Sequence, residues 1–312
     1  MPPRPGRGDR AVSLAISRRG LSTSRRRGPR GDAGDLRPLP HSPARGERLH
    51  PGGVRHRPRL RRPARRARTV TIEALAVVIP ARNESALIAR CLHSVQRAID
   101  HLRAHSPAPA PSVSVVVVLD SCSDNTAELV RSFGGVEVIE IDAASVGVAR
   151  SVGVASALTG SGMDPRRTWV ANTDADSTVP PQWLAEQLRL ADAGADVVVG
   201  TVSPELTDLS DDLVTAWTRL RARRSAAGHV HGANLGFRGS SYLSSGGFRP
   251  EAVHEDVNLV ARFTAISAAV CNSLDIDVET SGRRANRVPG GYASYLHDGI
   301  LLGASLSDDL TG

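Results

Sequence analysis

The chain has 312 residues, of which 39 are basic and 32 acidic, so its formal net charge is +7. This length is enough to bury a substantial core, and such a charge would ordinarily favour a nucleic-acid or membrane partner. The charge is unevenly distributed, because residues 1–69 carry 20 Arg and four acids whereas the rest of the chain is acidic, with a net charge of −9. The bulk charge therefore does not indicate a nucleic-acid-binding fold.

Residues 1–69 are rich in Arg, Pro and Gly and lack a periodic apolar pattern. Such a segment cannot bury enough apolar surface to fold, so we expect a disordered tail. All basic residues of the chain are Arg and none is Lys, a bias that GC-rich coding DNA produces. One interpretation is a native start near Val70 and no nucleic-acid partner; the other is an Arg-rich targeting or nucleic-acid-binding arm.

Three cysteines, Cys91, Cys122 and Cys271, are widely spaced and form no CxxC pair. They indicate a reducing compartment and no structural zinc. No apolar run approaches the ~20 residues needed to span a bilayer. We expect a cytoplasmic protein with at most a peripheral membrane contact, and the sequence does not indicate its oligomeric state.

From Leu75 onward, short apolar runs alternate with longer amphipathic segments, which predicts an α/β fold with helices on both faces of a mostly parallel sheet. The predicted strands are 75–79, 113–119, 136–141, 168–172 and 196–200. Helices are predicted over 84–102 and 124–133, and another begins after the Pro180–Pro181 pair. We assign residues 70–200 to a nucleotide-binding half and 201–312 to an acceptor half, which ends in a mobile loop and a C-terminal helix.

Polar residues follow three of the predicted strands. They are the PARNE segment at 80–84, Asp120, and the Asn-Thr-Asp-Ala-Asp segment at 172–176. In extended chain, residues two apart point to the same side, so Asp174 and Asp176 can present two carboxylates to one divalent cation. Mn²⁺ or Mg²⁺ suits such oxygen ligands. The alternative is a solvated, Asp-rich turn.

These segments occur together with GVARSVG (147–153), GANLGFR (232–238) and HEDVNL (254–259), in that order. The sequence thereby resembles family 2 glycosyltransferases of the GT-A fold, from about residue 70 to residue 297. The resemblance implies a Rossmann-like sheet and a DxD metal motif that binds Mn²⁺ or Mg²⁺. It also implies inverting, hexosyltransferase-type transfer of a sugar from a nucleotide diphosphate, such as a UDP- or GDP-sugar, to a hydroxyl acceptor.

Site residues follow from the resemblance, position by position. The nucleoside contacts would be Pro80, Arg82, Asn83, Glu84 and Asp120, and Arg150 would contact the base or the diphosphate. Asp174 would face the ribose and, with Asp176, the metal, while Gly232, Ala233 and Asn234 would border the donor sugar. Asp256 would be the general base and Glu255 would support it.

Structural roles remain open for several of these residues. Asn83, Glu84 and Asp120 could cap helices, Arg150 could be solvated, and the 255–256 acids could favour the positive end of a helix beginning at Val257. The histidines His229, His231, His254 and His297 are left out of the metal set. The arginines Arg283, Arg284 and Arg287 either clamp the diphosphate when a lid closes or form a solvated loop.

One segment departs from the family pattern. The second-strand motif commonly reads DDGS, whereas here Leu119, Asp120, Ser121 and Cys122 occupy it. The tightness of that turn is therefore in question. Three rival functions also remain: a sugar-phosphate nucleotidyltransferase, although the chain has no Lys for its usual phosphate loop; a protein that binds nucleic acid through the tail; and an inactive member that binds nucleotide without turnover.

Overall fold

The computed structural model describes residues 70–106, 109–222, 230–251, 253–283 and Leu296. The predicted tail at 1–69 and the predicted C-terminal loop and helix lie outside the described residues. The same holds for His229, His297, Arg284 and Arg287, so the structure has no bearing on their predicted roles.

A single mixed sheet forms the centre of the described part of the chain. Its strands are β1 (Ala74–Ala81), β2 (Ser112–Asp120), β3 (Val136–Ile141), β4 (Thr168–Asn172), β5 (Ser177–Thr178), β6 (Val197–Pro204), β7 (Leu235–Arg238) and β8 (Val270–Thr280). The order across the sheet is β3-β2-β1-β4-β7-β6-β8-β5. The five predicted strands are confirmed as β1, β2, β3, β4 and β6.

Strand direction changes along the sheet. β3, β2, β1 and β4 are parallel to one another, β7 runs antiparallel between β4 and β6, and β8 is parallel to β6. The short β5 pairs antiparallel with the end of β8. The predicted α/β class is therefore confirmed, and the antiparallel pairs all involve β5 or β7.

The helices cover both faces of the sheet. They are α1 (Ile88–His105), α2 (Thr126–Arg131), α3 (Val146–Gly160), α4 (Trp183–Asp192), α5 (Asp211–Ala222), α6 (Gly239–Ser245) and α7 (Glu255–Ala265). The first predicted helix begins four residues later than expected, because residues 85–87 form a turn. Helix α7 begins at Glu255 rather than at Val257, so both acids belong to its first turn.

Two cores form because alternate residues of each strand face opposite sides of the sheet. Val77, Ile79 and Leu119 face one side, where α1 and α4 supply the covering side chains. Val78 and Val118 face the other side, where α3 and α7 pack. Strands that are buried on both faces require continuous apolar runs, as β1 and β2 have.

Helix α3 approaches the sheet closely at a glycine. A Cβ atom at Gly153 would lie 2.5 Å from Cγ1 of Val78 and 3.0 Å from Cγ2 of Val118. At Gly160, the last residue of the same helix, a Cβ atom would meet nothing within 4 Å. Only the first of these two glycines is therefore required by packing.

Arg238, at the end of β7, makes hydrogen bonds to three backbone segments at the edge of the sheet where β1 and β4 begin. Its guanidinium donates hydrogen bonds to the carbonyl oxygens of Val70, Arg166 and Ala191, at 3.0, 2.6 and 3.3 Å. The side chain is buried and also lies 3.6 Å from Asp196. It thus joins the chain before β1 to the segment before β4 and to the last turn of α4.

Among the described residues, no helix combines the length and the apolar character needed to cross a membrane.

Candidate active site

The predicted site residues gather where β1, β2 and β4 end. These strands are parallel neighbours, so their carboxyl ends share one edge of the sheet. The PARNE segment follows β1, Asp120 ends β2, and Asp174 and Asp176 follow β4. The polar segments that follow these three strands therefore lie at one edge of the sheet.

Hydrogen bonds tie the loop after β1 to the loop after β2. Asn83 has a left-handed backbone (φ 53°), which asparagine tolerates, and its Oδ1 accepts the N–H of Ser123 at 2.7 Å. The N–H of Glu84 donates to Oγ1 of Thr126 at 2.8 Å, and that of Ser85 to Asp124 Oδ2 at 3.1 Å. In this state the side chain of Asn83 fixes the neighbouring loop.

Asp120 organises the loop between β3 and α3. Its carboxylate accepts the N–H groups of Ala143, Ala144 and Ser145 at 2.7–2.8 Å. Burial would raise the pKa of this carboxyl, but the three backbone donors outweigh burial and lower it. Ser121 stands where the family pattern has Gly and adopts φ 54°, the left-handed conformation that glycine takes at little cost. The tight turn is therefore retained.

The two acids of the DxD segment differ in exposure. The Asp176 side chain is 12% exposed, whereas that of Asp174 is 33% exposed. Oδ1 of Asp176 accepts from Thr280 Oγ1 at 3.2 Å, and its Oδ2 accepts from Arg283 Nη2 at 2.5 Å. Burial and the nearby Asp174 raise the pKa of Asp176, and Arg283 only partly offsets them.

Arg150, on α3, joins two acidic segments that are distant in sequence. Its Nη2 donates to Asp174 Oδ1 at 2.6 Å and its Nη1 forms an ion pair with Glu255 at the start of α7. The guanidinium lies against Gly232, where a Cβ atom would sit 2.3 Å from it. Burial would lower the pKa of Arg150, but Asp174, Glu255 and Asp256 raise it. Arg150 thus remains charged and connects the segments.

The acid pair at the start of α7 has one buried and one accessible member. Glu255 is buried against Arg150, and burial raises its pKa although Arg150 opposes this. Asp256 is partly exposed, and its Oδ2 accepts the N–H of Gly232 at 2.7 Å. The preceding His254 has φ 62°, a conformation that turns the chain into the helix.

The remaining predicted contacts differ in exposure. Pro80 and Ala233 are buried, whereas Arg82 is exposed at the mouth of the loop. The Asn234 side chain donates to the carbonyls of Thr201 and Ile276 and accepts from Trp183 Nε1. In this state Asn234 holds core elements together.

The acids of the DxD segment suit a metal that is shared with a phosphate ligand. In the described part of the chain, no three or more His, Cys, Asp or Glu side chains are arranged to hold a metal by themselves. Mg²⁺ and similar cations commonly take only one or two carboxylates and complete their shell with substrate phosphates and water. Asp174 and Asp176 stand two residues apart directly after β4, so the same short segment supplies both carboxylates. The donor set therefore fits.

The sequence leaves two roles open for Arg283. Arg283 donates to both carboxylate oxygens of Glu84, each at 3.1 Å, as well as to Asp176. Glu84 is separated from Arg283 by about 200 residues, so the pairing arises from the sheet order, which brings the end of β8 next to β5. The only sequence signal was the cluster of arginines near position 283.

Comparison with known proteins identifies relatives for the part of the chain that contains most of these site residues. The family model described as Glycosyl transferase family 2 matches residues 76–233. The dolichyl-phosphate hexose transferase of Haloferax volcanii is 31% identical over 165 residues, which are 53% of this chain and 59% of that protein. The chain thus spans less than two thirds of the length of this relative.

Solved structures share the fold. S. aureus TarS 1–349 in complex with UDP-GlcNAc gives a TM-score of 0.51 at 14% identity, over 73% of this chain and 66% of that one. The mannosyltransferase PcManGT from Pyrobaculum calidifontis, in complex with GDP-Man and Mn²⁺, gives 0.50 at 17% identity, over 78% and 76% of the two chains. At these identities the likeness extends to the fold alone, and it confirms the predicted GT-A type.

Proposed function

Since the chain belongs to glycosyl transferase family 2, we propose that it transfers a hexose from a nucleotide diphosphate to a hydroxyl acceptor. The observation that carries this proposal is the junction at Arg150, which pairs with both Asp174 and Glu255. A transferase must hold its donor and its acceptor in contact at one carbon atom. Arg150 connects the segment of Asp174, which would bind the donor, to the segment of Glu255, which would lie on the acceptor side.

On the donor side, Asp174 and Asp176 would hold Mn²⁺ or Mg²⁺ together with the phosphates of the donor. The cation would offset negative charge on the departing nucleoside diphosphate. Arg82, Asn83 and Glu84 would contact the nucleoside, and Asp120 would act on it through the loop that its carboxylate organises.

On the acceptor side, Asp256 is the proposed general base. A hydroxyl is a poor nucleophile until its proton is removed, and Asp256 is the accessible member of its pair. Glu255 is buried and engaged by Arg150, so it would hold the start of α7 in place. Direct displacement by the activated hydroxyl would invert the anomeric centre.

The name of the Haloferax volcanii relative suggests one alternative to a hydroxyl acceptor. A dolichyl phosphate would present a phosphate oxygen, which is already largely ionised at pH 7. Transfer to it would need no general base and would bring this enzyme to a membrane surface. A hydroxyl acceptor and a lipid phosphate therefore differ in their dependence on Asp256.

Binding tests the donor side directly. Purified protein is screened by thermal shift with UDP, GDP, UDP-GlcNAc and GDP-Man, each with and without Mn²⁺. We expect stabilisation that requires both a nucleotide and the cation. Absence of any Mn²⁺-dependent stabilisation across the panel would contradict the proposal.

Turnover tests the reaction. Labelled nucleotide sugars should release free nucleoside diphosphate, EDTA should stop the release, and NMR of the product should show the inverted anomer. Pyrophosphate-dependent formation of a nucleotide sugar would instead favour a nucleotidyltransferase, and a retained anomer would refute direct displacement.

A further inference from the structure

Arg283 occupies the position from which a cation would approach Asp176. Its Nη2 donates to Asp176 Oδ2 at 2.5 Å, and both of its terminal nitrogens donate to Glu84. The same Asp176 oxygen is one that the proposed metal site would offer. A divalent cation at this oxygen would face the guanidinium charge at short range, and like charges repel strongly in a partly buried setting.

We propose that Arg283 is an internal cation that occupies Asp176 until a nucleotide diphosphate arrives. Metal alone then binds poorly, and metal and nucleotide bind as a pair. This inference rests on the metal site of the proposed function. It adds that the chain itself supplies the competitor of the metal.

Burial explains why such a competitor is needed. The Asp176 side chain is only 12% exposed, and a buried carboxylate without a counter-charge is costly. Its neighbour Asp174 is already paired with Arg150. Arg283 is therefore the cation that balances Asp176 in the free protein.

The two arginines of the site differ in how easily their side chains can move away from the acids that they pair with. The Arg150 side chain is 4% exposed, whereas that of Arg283 is 31% exposed. Arg150 also holds Glu255, so its departure would leave two acids unpaired. Arg283 is consequently the one that yields to a metal.

The backbone that carries Arg283 is anchored. Oγ of Ser281 and the N–H of Gly282 both donate to Asp208 Oδ2, at 3.1 and 2.9 Å. A Cβ atom at Gly282 would lie 2.9 Å from Cβ of Asp208, so the two segments touch there. Displacement therefore requires only that the Arg283 side chain turn, and the negative charge of the diphosphate compensates the guanidinium.

Metal affinity without nucleotide is the measurement that tests this inference. Mn²⁺ is titrated by calorimetry into the wild type, Arg283→Gln, Arg283→Met and Arg283→Lys. The two neutral variants should bind Mn²⁺ alone roughly tenfold more tightly than the wild type, equivalent to about 1.4 kcal/mol. Arg283→Lys, which keeps the charge, should bind it as weakly as the wild type.

Arg221→Gln is the matched control, because it removes the same charge from another arginine that is paired with an acid, Asp277. It should leave Mn²⁺ binding unchanged. Wild-type affinity in both neutral variants overturns the inference, while the proposed function stands if the wild type binds Mn²⁺ together with UDP or GDP. If no nucleotide promotes Mn²⁺ binding to the wild type, the proposed metal site fails and the inference falls with it.

Discussion

Arg150 and Arg283 neutralise the acids of the site in different ways. Arg150 is buried and shared by Asp174 and Glu255, so it is part of the framework. Removing one partner of a buried ion pair leaves an uncompensated charge and typically costs about 3–5 kcal/mol. Arg283 is more exposed and its loss should cost less. A substitution of Arg150 is therefore expected to affect folding as well as ligand binding. Asp176 and Asp256 are better targets for testing the proposed roles.

Asp176→Asn tests the proposed metal ligand. The amide keeps the shape of the side chain but loses its negative charge, so Mn²⁺-dependent nucleotide binding should weaken by about tenfold or more. Calorimetry with UDP or GDP in the presence of Mn²⁺ measures the change. Asp100→Asn, at an exposed residue of α1, should bind as the wild type does. Unchanged affinity in Asp176→Asn would remove this residue from the metal site.

Asp256→Asn tests the proposed general base. Donor binding should stay nearly intact, while kcat with a hydroxyl acceptor falls by ~10² or more. Steady-state kinetics and donor calorimetry on the same preparation separate the two effects. If turnover with a polyprenyl phosphate persists in this variant while the hydroxyl acceptor is inert in both proteins, the lipid phosphate is the acceptor.

At the scale of elements, the site depends on how closely α3 lies against the sheet. The helix carries Arg150, and it can reach Asp174 and Glu255 only if its backbone sits near β1 and β2. Gly153 permits this approach, because any side chain there would meet Val78 and Val118.

Gly153→Ala tests this contact, and Gly160→Ala on the same helix is its control. Overpacking at Gly153 should reduce the free energy of unfolding by about 1–3 kcal/mol. Gly160 has open space, so alanine there should be neutral or slightly stabilising. Urea unfolding of both variants measures the difference. Equal stability of the two variants would show that α3 does not need this close approach.

The loops after β1 and β2 are held by an aspartate, Asp124, whose negative charge depends on pH. Burial would raise the pKa of Asp124, but hydrogen bonds from Thr126 and Ser85 outweigh burial and lower it. A lowered pKa in the folded state contributes stability above the ordinary value of about 3.9, and this contribution is lost as the pH falls through the folded value.

Asp124→Asn should therefore be less stable than the wild type at neutral pH, and the difference should shrink as the pH falls below about 4. Urea unfolding at a series of pH values from 7 to 3 gives the two curves. A difference that stays constant over this range would mean that the Asp124 charge does not hold the loops.

At the scale of the whole molecule, one sheet runs through both predicted halves. Much of the first half was predictable because β1, most of β2 and the centre of β4 are apolar runs that are buried in the sheet. β7 and β8 were missed for physical reasons. β7 is four residues long and contains Gly236, and β8 mixes apolar with polar residues around an irregularity in its pairing with β6.

The site was predictable to the extent that it follows strands. The positions of Asp120, Asp174 and Asp176 at one edge follow from the parallel strands, and the family resemblance is confirmed by the match over 76–233. The pairing of Arg283 with Glu84 and Asp176 was not predictable, because it depends on β8 lying next to β5. Likewise, Asn234 shows no sequence signal for its bond with Trp183. The roles assigned to individual site residues remain predictions.

Arg238 has a consequence for how this sequence can change over evolutionary time. It bonds to the backbone carbonyls of Val70, Arg166 and Ala191 rather than to their side chains. Every amino acid offers that same oxygen, so descendants can vary at positions 70 and 166 without losing the contacts, whereas position 191 is also held by core packing. Mutational drift is thereby permitted at positions 70 and 166 and opposed at positions 191 and 238.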